Sequence, residues 1–331
     1  MVTQVIILTA IVETSLENYS GEIKKSLKRV IHRPGNTSKM YLHHMKYLLL
    51  IFIVPVSITV QGQLITDSVL IEQHYRSFSY YQPSAFIKGG SLLFVMHGSG
   101  SRGEDMRKHT TQLEAIAGKE KLLLVYPEGY QHYWNECRRY ATSAANKENI
   151  NENAFFSSMI SYFQKKYGIN KDKVYAAGFS GGGHMAYKLG LTMPAEVKAI
   201  AAIVANMPDS ASCDCRLSGK ALPVLIINGT DDTVNPYKGG EMFVNNASYG
   251  VVRSTENTFS YWASLAGYEG IPQKESLPDT DTADHKTIER YSYQAPGKPP
   301  VALLKVIGGK HDYPGDIDVF LYTWQFFKSL P

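Results

Sequence analysis

The amino-acid sequence predicts an α/β fold in which a mainly parallel, twisted sheet is flanked by helices within a single domain. Two observations indicate this class. Strand-like and helix-like patterns alternate through residues 63–331. No Gly/Ser/Pro-rich linker, charge block or internal repeat interrupts that stretch, so one large domain is expected there.

Short apolar runs have the length and composition of buried strands. We predict them at Ser91–Met96, Lys121–Tyr126, Lys173–Ala177, Val197–Val204, Pro223–Ile227 and Val301–Val306. Gln63–Pro83 is rich in Val, Ile, Tyr and Ser with alternating polarity, so it is expected to form an antiparallel edge. Helices are expected to fill the intervals between the strands.

Two of these intervals show helical spacing, because apolar residues recur in them every three or four positions. They are Ala154, Met159, Ile160, Phe163 and Tyr167 in one interval, and Ile317, Phe320, Leu321, Trp324 and Phe327 at the C-terminus. Each helix therefore has an apolar stripe for the sheet. The first helix and the strands on either side of it form one predicted βαβ unit.

The N-terminal 62 residues differ from the rest in charge. They hold seven Lys or Arg against three Glu, so the net charge of +4 lies there and the remainder is balanced by count. This balance argues against nucleic acid or an anionic surface as the main partner. Residues 45–62 have a basic start and about fourteen apolar-rich residues broken by a proline, which is typical of a signal peptide and short for a membrane span.

Cleavage is therefore expected before Gln63, giving a secreted or periplasmic protein without stable membrane insertion. Residues 1–44 match no pattern of the rest of the chain. We interpret them as an extension from a start site assigned too early, with a functional extension as the alternative.

Three cysteines follow the leader: Cys137, Cys213 and Cys215. In an exported protein an odd count indicates one disulfide and one free thiol. A bridge between Cys213 and Cys215 would be strained because one residue separates them, so Cys137 is expected to pair with either. No further ligands lie at a spacing that would complete a metal site.

Ser180 carries the strongest functional signal. It lies in a Gly-x-Ser-x-Gly frame between Gly178 and Gly182, after an apolar run and before a helix-like stretch. This is the strand, turn and helix order of a nucleophile elbow, in which glycines permit the tight turn. A bare motif of this kind arises by chance in on the order of one chain in ten of this length, so its partners must decide.

Two loops supply those partners. A serine needs a base to take its proton, and the base needs a carboxylate to hold its tautomer. Asp231 and Asp232 follow the run Leu222–Ile227, and His311 follows Val301–Ile307, so all lie just beyond strand ends. Singly, such residues are usually turn formers or solvated; together they have the Ser, Asp, His order of α/β-hydrolases.

A developing oxyanion needs two N–H donors. One is expected from the Gly/Ser-rich loop that follows His97, and the other from the N–H of Gly181, directly after the nucleophile. The loop Gly98–Gly103 does not fit the phosphate-binding pattern, so nucleotide binding is disfavoured. The sequence implies no metal or organic cofactor.

Several segments together resemble the secreted esterase/polyhydroxybutyrate-depolymerase family of α/β-hydrolases, which includes feruloyl and acetylxylan esterases. They are His97–Gly98, Tyr126–Gly129, Trp134–Asn135, Ala177–Gly182, Asn228–Tyr237 and Gly308–His311. The resemblance covers nearly all of residues 63–331 and implies an α/β-hydrolase fold. It also implies that Ser180 is the nucleophile, Asp232 the acid and His311 the base. The oxyanion hole is expected from the N–H groups of Ser99 and Gly181.

Asp232 is preferred over Asp231 because the family places its acid four residues before the Pro of a Pro-Tyr pair. Two residues of the same loop depart from the family pattern. Asn228 stands where His is common, and Asn235 stands where Val is common.

The resemblance also implies a substrate-binding wall at Trp134, with Tyr133 and His97 beside it. An aromatic cluster there would stack on an aryl ester or a sugar ring. The alternative is a tryptophan packed beneath the loop near Cys137. His184, one helical turn after Ser180, is interpreted as a buried or supporting histidine.

These observations predict a secreted serine carboxylic-ester hydrolase that forms an acyl-enzyme. The expected substrates are feruloyl or acetyl esters linked to plant polysaccharide, with a poly(3-hydroxybutyrate) depolymerase as the alternative. A serine peptidase is disfavoured because no gating domain is evident. A catalytically silent binding protein is disfavoured because it would not need Ser180, Asp232 and His311 together.

Overall fold

The computed structural model describes residues 62–83, 88–244 and 246–330. Its strands are β1 Gln63–Ile71, β2 His74–Gln82, β3 Ser91–Met96, β4 Leu122–Pro127, β5 Val174–Phe179, β6 Ala199–Ile203, β7 Val224–Gly229, β8 Gly240–Val244, β9 Ala247–Val252, β10 Gln273–Ser276, β11 Thr287–Tyr293 and β12 Val301–Ile307. The described strands form a ten-stranded sheet in the order β1-β2-β4-β3-β5-β6-β7-β12-β11-β10, and β8 pairs with β9 in a separate hairpin.

The middle of the sheet is parallel, as predicted. Strands β4, β3, β5, β6, β7 and β12 pair in parallel, while β1–β2 at one edge and β11–β10 at the other are antiparallel. The segment Gln63–Pro83 therefore forms the antiparallel edge that its alternating polarity indicates. The carboxyl ends of the parallel strands lie along one edge, where a site is expected.

Helices cover both faces of the sheet. They are α1 Thr111–Glu120, α2 Ala144–Lys147, α3 Glu152–Tyr167, α4 Gly181–Thr192, α5 Thr255–Leu265 and α6 Val319–Lys328, with a 3-10 helix at Gly103–His109. One hydrophobic core joins the sheet to α3, α4 and α5, and a second core on the other face joins it to α1 and α6. This arrangement is the predicted sheet flanked by helices.

Helix α3 shows how local signals set an element. Its apolar stripe is buried, with Phe155, Phe156 and Phe163 fully inaccessible to solvent. Asn151 accepts the N–H of Ala154 at the N-terminus, and Gly168 ends the helix with a left-handed backbone at φ 62°. The sequence prediction for this helix is confirmed.

The expectation that helices fill every interval is wrong in two places. Between β7 and β12 the chain forms β8, β9, α5, β10 and β11. Strand β10, Gln273–Ser276, is wholly exposed, so it lacks the apolar alternation by which a strand is recognised. Between β6 and β7 no helix occurs among the described residues 204–223.

A disulfide fixes that second connection. Cys137 is bonded to Cys215, with Cα atoms 5.0 Å apart and a sequence separation of 78 residues. Cys213 is a free, half-buried thiol. The pairing that the sequence leaves open is thus Cys137 with Cys215.

The predicted extension 1–44 and residues 45–61 of the predicted signal peptide lie outside the described residues. Every described residue falls in one compact unit, Val60–Pro331. Within the described ranges, each helix is too short or too polar to cross a lipid bilayer.

Candidate active site

Ser180 lies at a sharp turn between β5 and α4. Its backbone is in an unusual region, with φ 53° and ψ −115°, and its N–H donates to the carbonyl of Ile203 at 2.8 Å. A Cβ atom at Gly178 would lie 2.1 Å from the carbonyl oxygen of Gly182, and one at Gly182 would lie 2.3 Å from that of Met96. Only glycines allow strand and helix to approach this closely, so the elbow geometry follows from the motif.

Ser180, His311 and Asp232 form a continuous hydrogen-bonded chain. His311 Nε2 lies 2.8 Å from Ser180 Oγ, and His311 Nδ1 lies 2.8 Å from Asp232 Oδ2. A carboxylate can only accept, so Nδ1 carries the proton and Nε2 is free to accept from the serine hydroxyl. Asp232 is 5% exposed, whereas the side chain of His311 is 20% exposed.

The two neighbouring aspartates have different surroundings. Asp232 Oδ1 accepts the N–H groups of Val234 and Asn235, each at 2.8 Å, so both carboxylate oxygens are engaged. Asp231 is exposed and accepts the hydroxyl of Thr230 at 2.8 Å. Of the two, it is Asp232 that contacts His311.

A buried amide network supports the loop of Asp232. The side chain of Asn206 accepts from Asn228 Nδ2 at 2.8 Å and from the Thr255 hydroxyl at 3.0 Å, and it donates to the carbonyl of Pro236 at 3.1 Å. The backbone N–H of Asn206 donates to Asn235 Oδ1 at 3.0 Å. The two residues that depart from the family pattern are thus linked through one fully buried residue, which the sequence analysis missed.

Ser99 and Gly181 lie side by side next to Ser180. A Cβ atom at Gly181 would lie 2.8 Å from the backbone nitrogen of Ser99, and one at Gly98 would lie 3.5 Å from Ser180 Cβ. In the described part of the chain, neither the Ser99 nor the Gly181 N–H donates to another protein group. Two adjacent free donors can hold the oxygen of a tetrahedral intermediate.

Comparison with known proteins shows the family of the chain. A model of the phospholipase/carboxylesterase family matches residues 88–261, which is more than half of the chain. The chain belongs to this family. It is a carboxylic ester hydrolase of the α/β-hydrolase fold, in agreement with the predicted fold class and enzyme class.

Relatives of this esterase are themselves named as esterases. NocK of Nocardia uniformis subsp. tsuyamanensis is 25% identical over 247 residues, which is 73% of the chain and 70% of NocK. Feruloyl esterase B of Piromyces equi is 26% identical over 261 residues, which is 75% of the chain and 44% of that protein. The esterase thus spans less than half the length of this second relative.

Solved structures share the fold. An acetyl xylan esterase from Aspergillus awamori has a TM-score of 0.54 at 14% identity, covering 80% of the esterase and 99% of that chain. The feruloyl esterase module from Clostridium thermocellum has a TM-score of 0.50 at 12% identity, covering 81% and 88%. At these identities the likeness is one of fold.

His97 does not line a binding surface of the esterase. Its ring is fully buried, its Nδ1 lies 2.7 Å from the carbonyl oxygen of Gly98, and its Nε2 accepts the N–H of Gly129 at 2.9 Å. Burial lowers the pKa of His97 to about 4, so the ring is neutral at neutral pH. The structure therefore places His97 in the core, where it joins the loops after β3 and β4, and not at the surface where a substrate contact was predicted.

Trp134 is also a core residue. It is 2% exposed, its Nε1 donates to the carbonyl of His97 at 2.9 Å, and its ring lies 4.9 Å from the His97 ring and 6.1 Å from Phe156. It belongs to the same hydrophobic cluster as Cys137. This placement matches the alternative of a tryptophan packed beneath the loop and not the predicted substrate wall. Tyr133 is half-buried near the loop of Ser99.

A row of half-buried aromatic rings adjoins His311 instead. Phe179 lies 5.5 Å from the His311 ring and 4.6 Å from Tyr313, whose ring lies 4.4 Å from that of His109. Sequence reasoning missed all three residues. The sequence signal that could have found two of them is closeness along the chain to Ser180 and His311. Phe179 lies inside the elbow motif, and Tyr313 lies two residues after His311.

His184 is buried, as predicted. Burial lowers its pKa well below the ordinary value, and neither ring nitrogen has a hydrogen-bond partner among the described residues. The ring therefore stays neutral at neutral pH, and His184 contacts Ser180 through its backbone, whose N–H donates to the Ser180 carbonyl at 3.0 Å. No group of three or more His, Cys, Asp or Glu side chains suited to a metal ion occurs in the part of the chain that the structure describes.

Proposed function

We propose that the esterase is a serine hydrolase that acts through an acyl-enzyme. Ser180 is the nucleophile, His311 the base, and Asp232 the acid that orients it. The supporting observation is the chain of two 2.8 Å contacts from Ser180 Oγ through the imidazole to the Asp232 carboxylate. A base that is already oriented is what a serine hydroxyl needs to become a nucleophile.

Each proton has a defined route in this mechanism. His311 Nε2 takes the proton of Ser180 as Oγ attacks the ester carbonyl, and the oxyanion is held by the N–H groups of Ser99 and Gly181. The imidazolium then gives its proton to the leaving alcohol. Water, deprotonated by His311, attacks the acyl-enzyme and releases the carboxylic acid.

We infer that the acyl group is aromatic and that the ester is a feruloyl ester of plant polysaccharide. The row Phe179, Tyr313 and His109 supports this choice, since aromatic rings beside the base can stack on an aryl group, whereas an acetyl group would not use them. Relatives named feruloyl esterase B and bifunctional acetylxylan esterase/xylanase also favour plant polysaccharide esters. The leader pattern at residues 45–62 supports secretion.

The nucleophile is tested by Ser180→Ala. Turnover of methyl ferulate should fall by at least ~10³-fold while the circular dichroism spectrum stays unchanged, because chemistry is lost without a change in packing. Ser329→Ala, at an exposed serine near the C-terminus, is the matched control. Activity within tenfold of the parent would remove Ser180 from the mechanism.

The substrate class is tested by Tyr313→Ala. The variant should lose about 1–3 kcal/mol of transition-state stabilisation for methyl ferulate, measured as a lower kcat/KM, because the aryl contact is lost. The loss of kcat/KM for ethyl acetate should be much smaller. Equal losses on both esters would argue against an aryl site there. A parent enzyme that hydrolyses poly(3-hydroxybutyrate) emulsion or a peptide anilide better than methyl ferulate would favour the depolymerase or peptidase alternative.

A further inference from the structure

A cavity opens at the edge of the sheet where Ser180, Asp232 and His311 lie. Its volume is about 430 Å³, and it lies between β2 and the segments that follow β3 and β4. The side chains that line it and carry the argument are Tyr75, Arg76, Arg102, Glu104, Glu128 and His132. None of them contributes to the proposed mechanism.

The cavity is close to the nucleophile but separated from it. Strand β4 is two strands away from β5, and neighbouring strands lie about 4.8 Å apart, so the offset is on the order of 10 Å. The loop of Ser99 runs between the two sites. Its Gly103 N–H donates to Glu128 Oε1 at 2.7 Å, and its Gly100 N–H donates to the carbonyl of His132 at 2.9 Å.

The charges that line the cavity are balanced. Arg76 and Arg102 oppose Glu104 and Glu128, and Arg76 also forms a 2.9 Å ion pair with the buried Glu152. An anion would gain little from such a lining, whereas neutral hydroxyl groups can donate to the carboxylates and accept from the guanidinium groups. The charge balance therefore favours a neutral, hydrogen-bonding ligand.

Two further features indicate a ring rich in hydroxyl groups. Arg76 Nη1 and His132 Nδ1 are buried and have no hydrogen-bond partner among the described residues. Arg76 as a whole is only 2% exposed. Buried polar groups are usually satisfied, so this lining has unused hydrogen-bonding capacity. Tyr75 is 79% exposed and offers an aromatic face on which a ring can stack.

We propose that this cavity binds a neutral sugar unit from the carbohydrate part of the ester, a few sugar units away from the bond that is cleaved. The assignment rests on the proposed function for the origin of the sugar. Its binding chemistry rests on the cavity alone, because the aromatic face and the paired donors and acceptors do not depend on the triad.

The test is binding of xylotetraose to the Ser180→Ala protein, measured by calorimetry. We expect saturable binding with a Kd on the order of 1 mM. Adding Tyr75→Ala or Arg102→Ala should weaken binding about tenfold, because each removes one contact of the cavity. Adding Tyr140→Ala or Lys119→Ala, at an exposed tyrosine and an exposed lysine outside the cavity, should leave the Kd unchanged.

The proposal is overturned by absence of xylotetraose binding, by binding that the two cavity variants do not weaken, or by displacement of xylotetraose by inorganic phosphate. Unchanged melting temperatures of the Tyr75→Ala and Arg102→Ala variants would show that their lost binding is not lost folding. Ester turnover by the parent enzyme is measured separately. Failure of the proposed function and failure of this proposal therefore appear in different assays.

Discussion

At the residue scale, one hydrogen bond distinguishes two adjacent aspartates. Asp232→Asn should lower kcat by about 10³- to 10⁴-fold, because an amide no longer holds His311 in the tautomer that accepts the proton of Ser180. Asp231→Asn should change kcat by less than about threefold, since its carboxylate contacts Thr230 at the surface. Steady-state kinetics on methyl ferulate compare the matched pair. Equal losses, or the reverse order, would contradict the assignment of the acid.

The position of a residue in the sequence predicted which loop carries it. It did not predict the direction in which the side chain points, or the groups that the side chain contacts. Ser180, Asp232 and His311 each follow a strand, and that placement brought them together at 2.8 Å contacts. Trp134 and His97 also follow strands, but both side chains turn into the core. A sequence pattern locates a loop at the sheet edge, whereas the direction of a side chain within the loop depends on tertiary packing that the pattern does not contain.

At the element scale, the loop that follows β7 and carries Asp232, the acid loop, depends on a residue that follows a different strand, β6. Asn206 lies just beyond β6 and joins Asn228, at the end of β7, to Asn235 in the acid loop. This link holds the segment whose N–H groups bind Asp232 Oδ1. Asn206 is therefore proposed as a positioning residue for the acid, without contact to the reacting atoms.

Asn206→Ala should lower the free energy of unfolding by about 1–3 kcal/mol, because it leaves buried groups unpaired. It should also lower kcat by about tenfold or more with KM nearly unchanged, since the loosened loop disorders Asp232 after substrate has bound. Asn153→Ala, at a partly buried asparagine paired with Thr192, is the matched control. A variant that is destabilised but keeps the parent kcat would assign the network a structural role alone.

Elements with continuous apolar character were predictable, and exposed ones were not. Strands β3, β4 and β7 are buried along their whole length and appear in the sequence as unbroken apolar runs. Strand β10 is wholly exposed and is held by pairing with β11, so its sequence carries no strand pattern. A helix was predicted for the connection 204–223 because it lies between two strands. Turns and the disulfide at Cys215 form this connection instead.

At the scale of the whole molecule, the sheet brings together residues that are far apart in sequence. Ser180 and His311 are separated by 131 positions, and the parallel order places β5 and β12 three strands apart, with Asp232 following the strand beside β12. Charges in residues 63–331 are balanced by count, so the field of this region does not favour one sign of substrate. The specificity is therefore expected to come from the groups at this one edge.

The Cys137–Cys215 bridge closes a 78-residue segment that contains Ser180. Removal of the bridge should therefore lower the stability of the whole domain. Cys137→Ser and Cys215→Ser should each lower the free energy of unfolding by about 2–5 kcal/mol, because the unfolded chain regains the entropy that the cross-link removes. Cys213→Ser, which removes the free thiol, is the matched control and should cost less than about 1 kcal/mol. Urea unfolding of the non-reduced proteins measures these differences, and thiol titration of the denatured parent should find one free thiol. A large loss for Cys213→Ser together with none for Cys215→Ser would instead assign the bridge to Cys137 and Cys213.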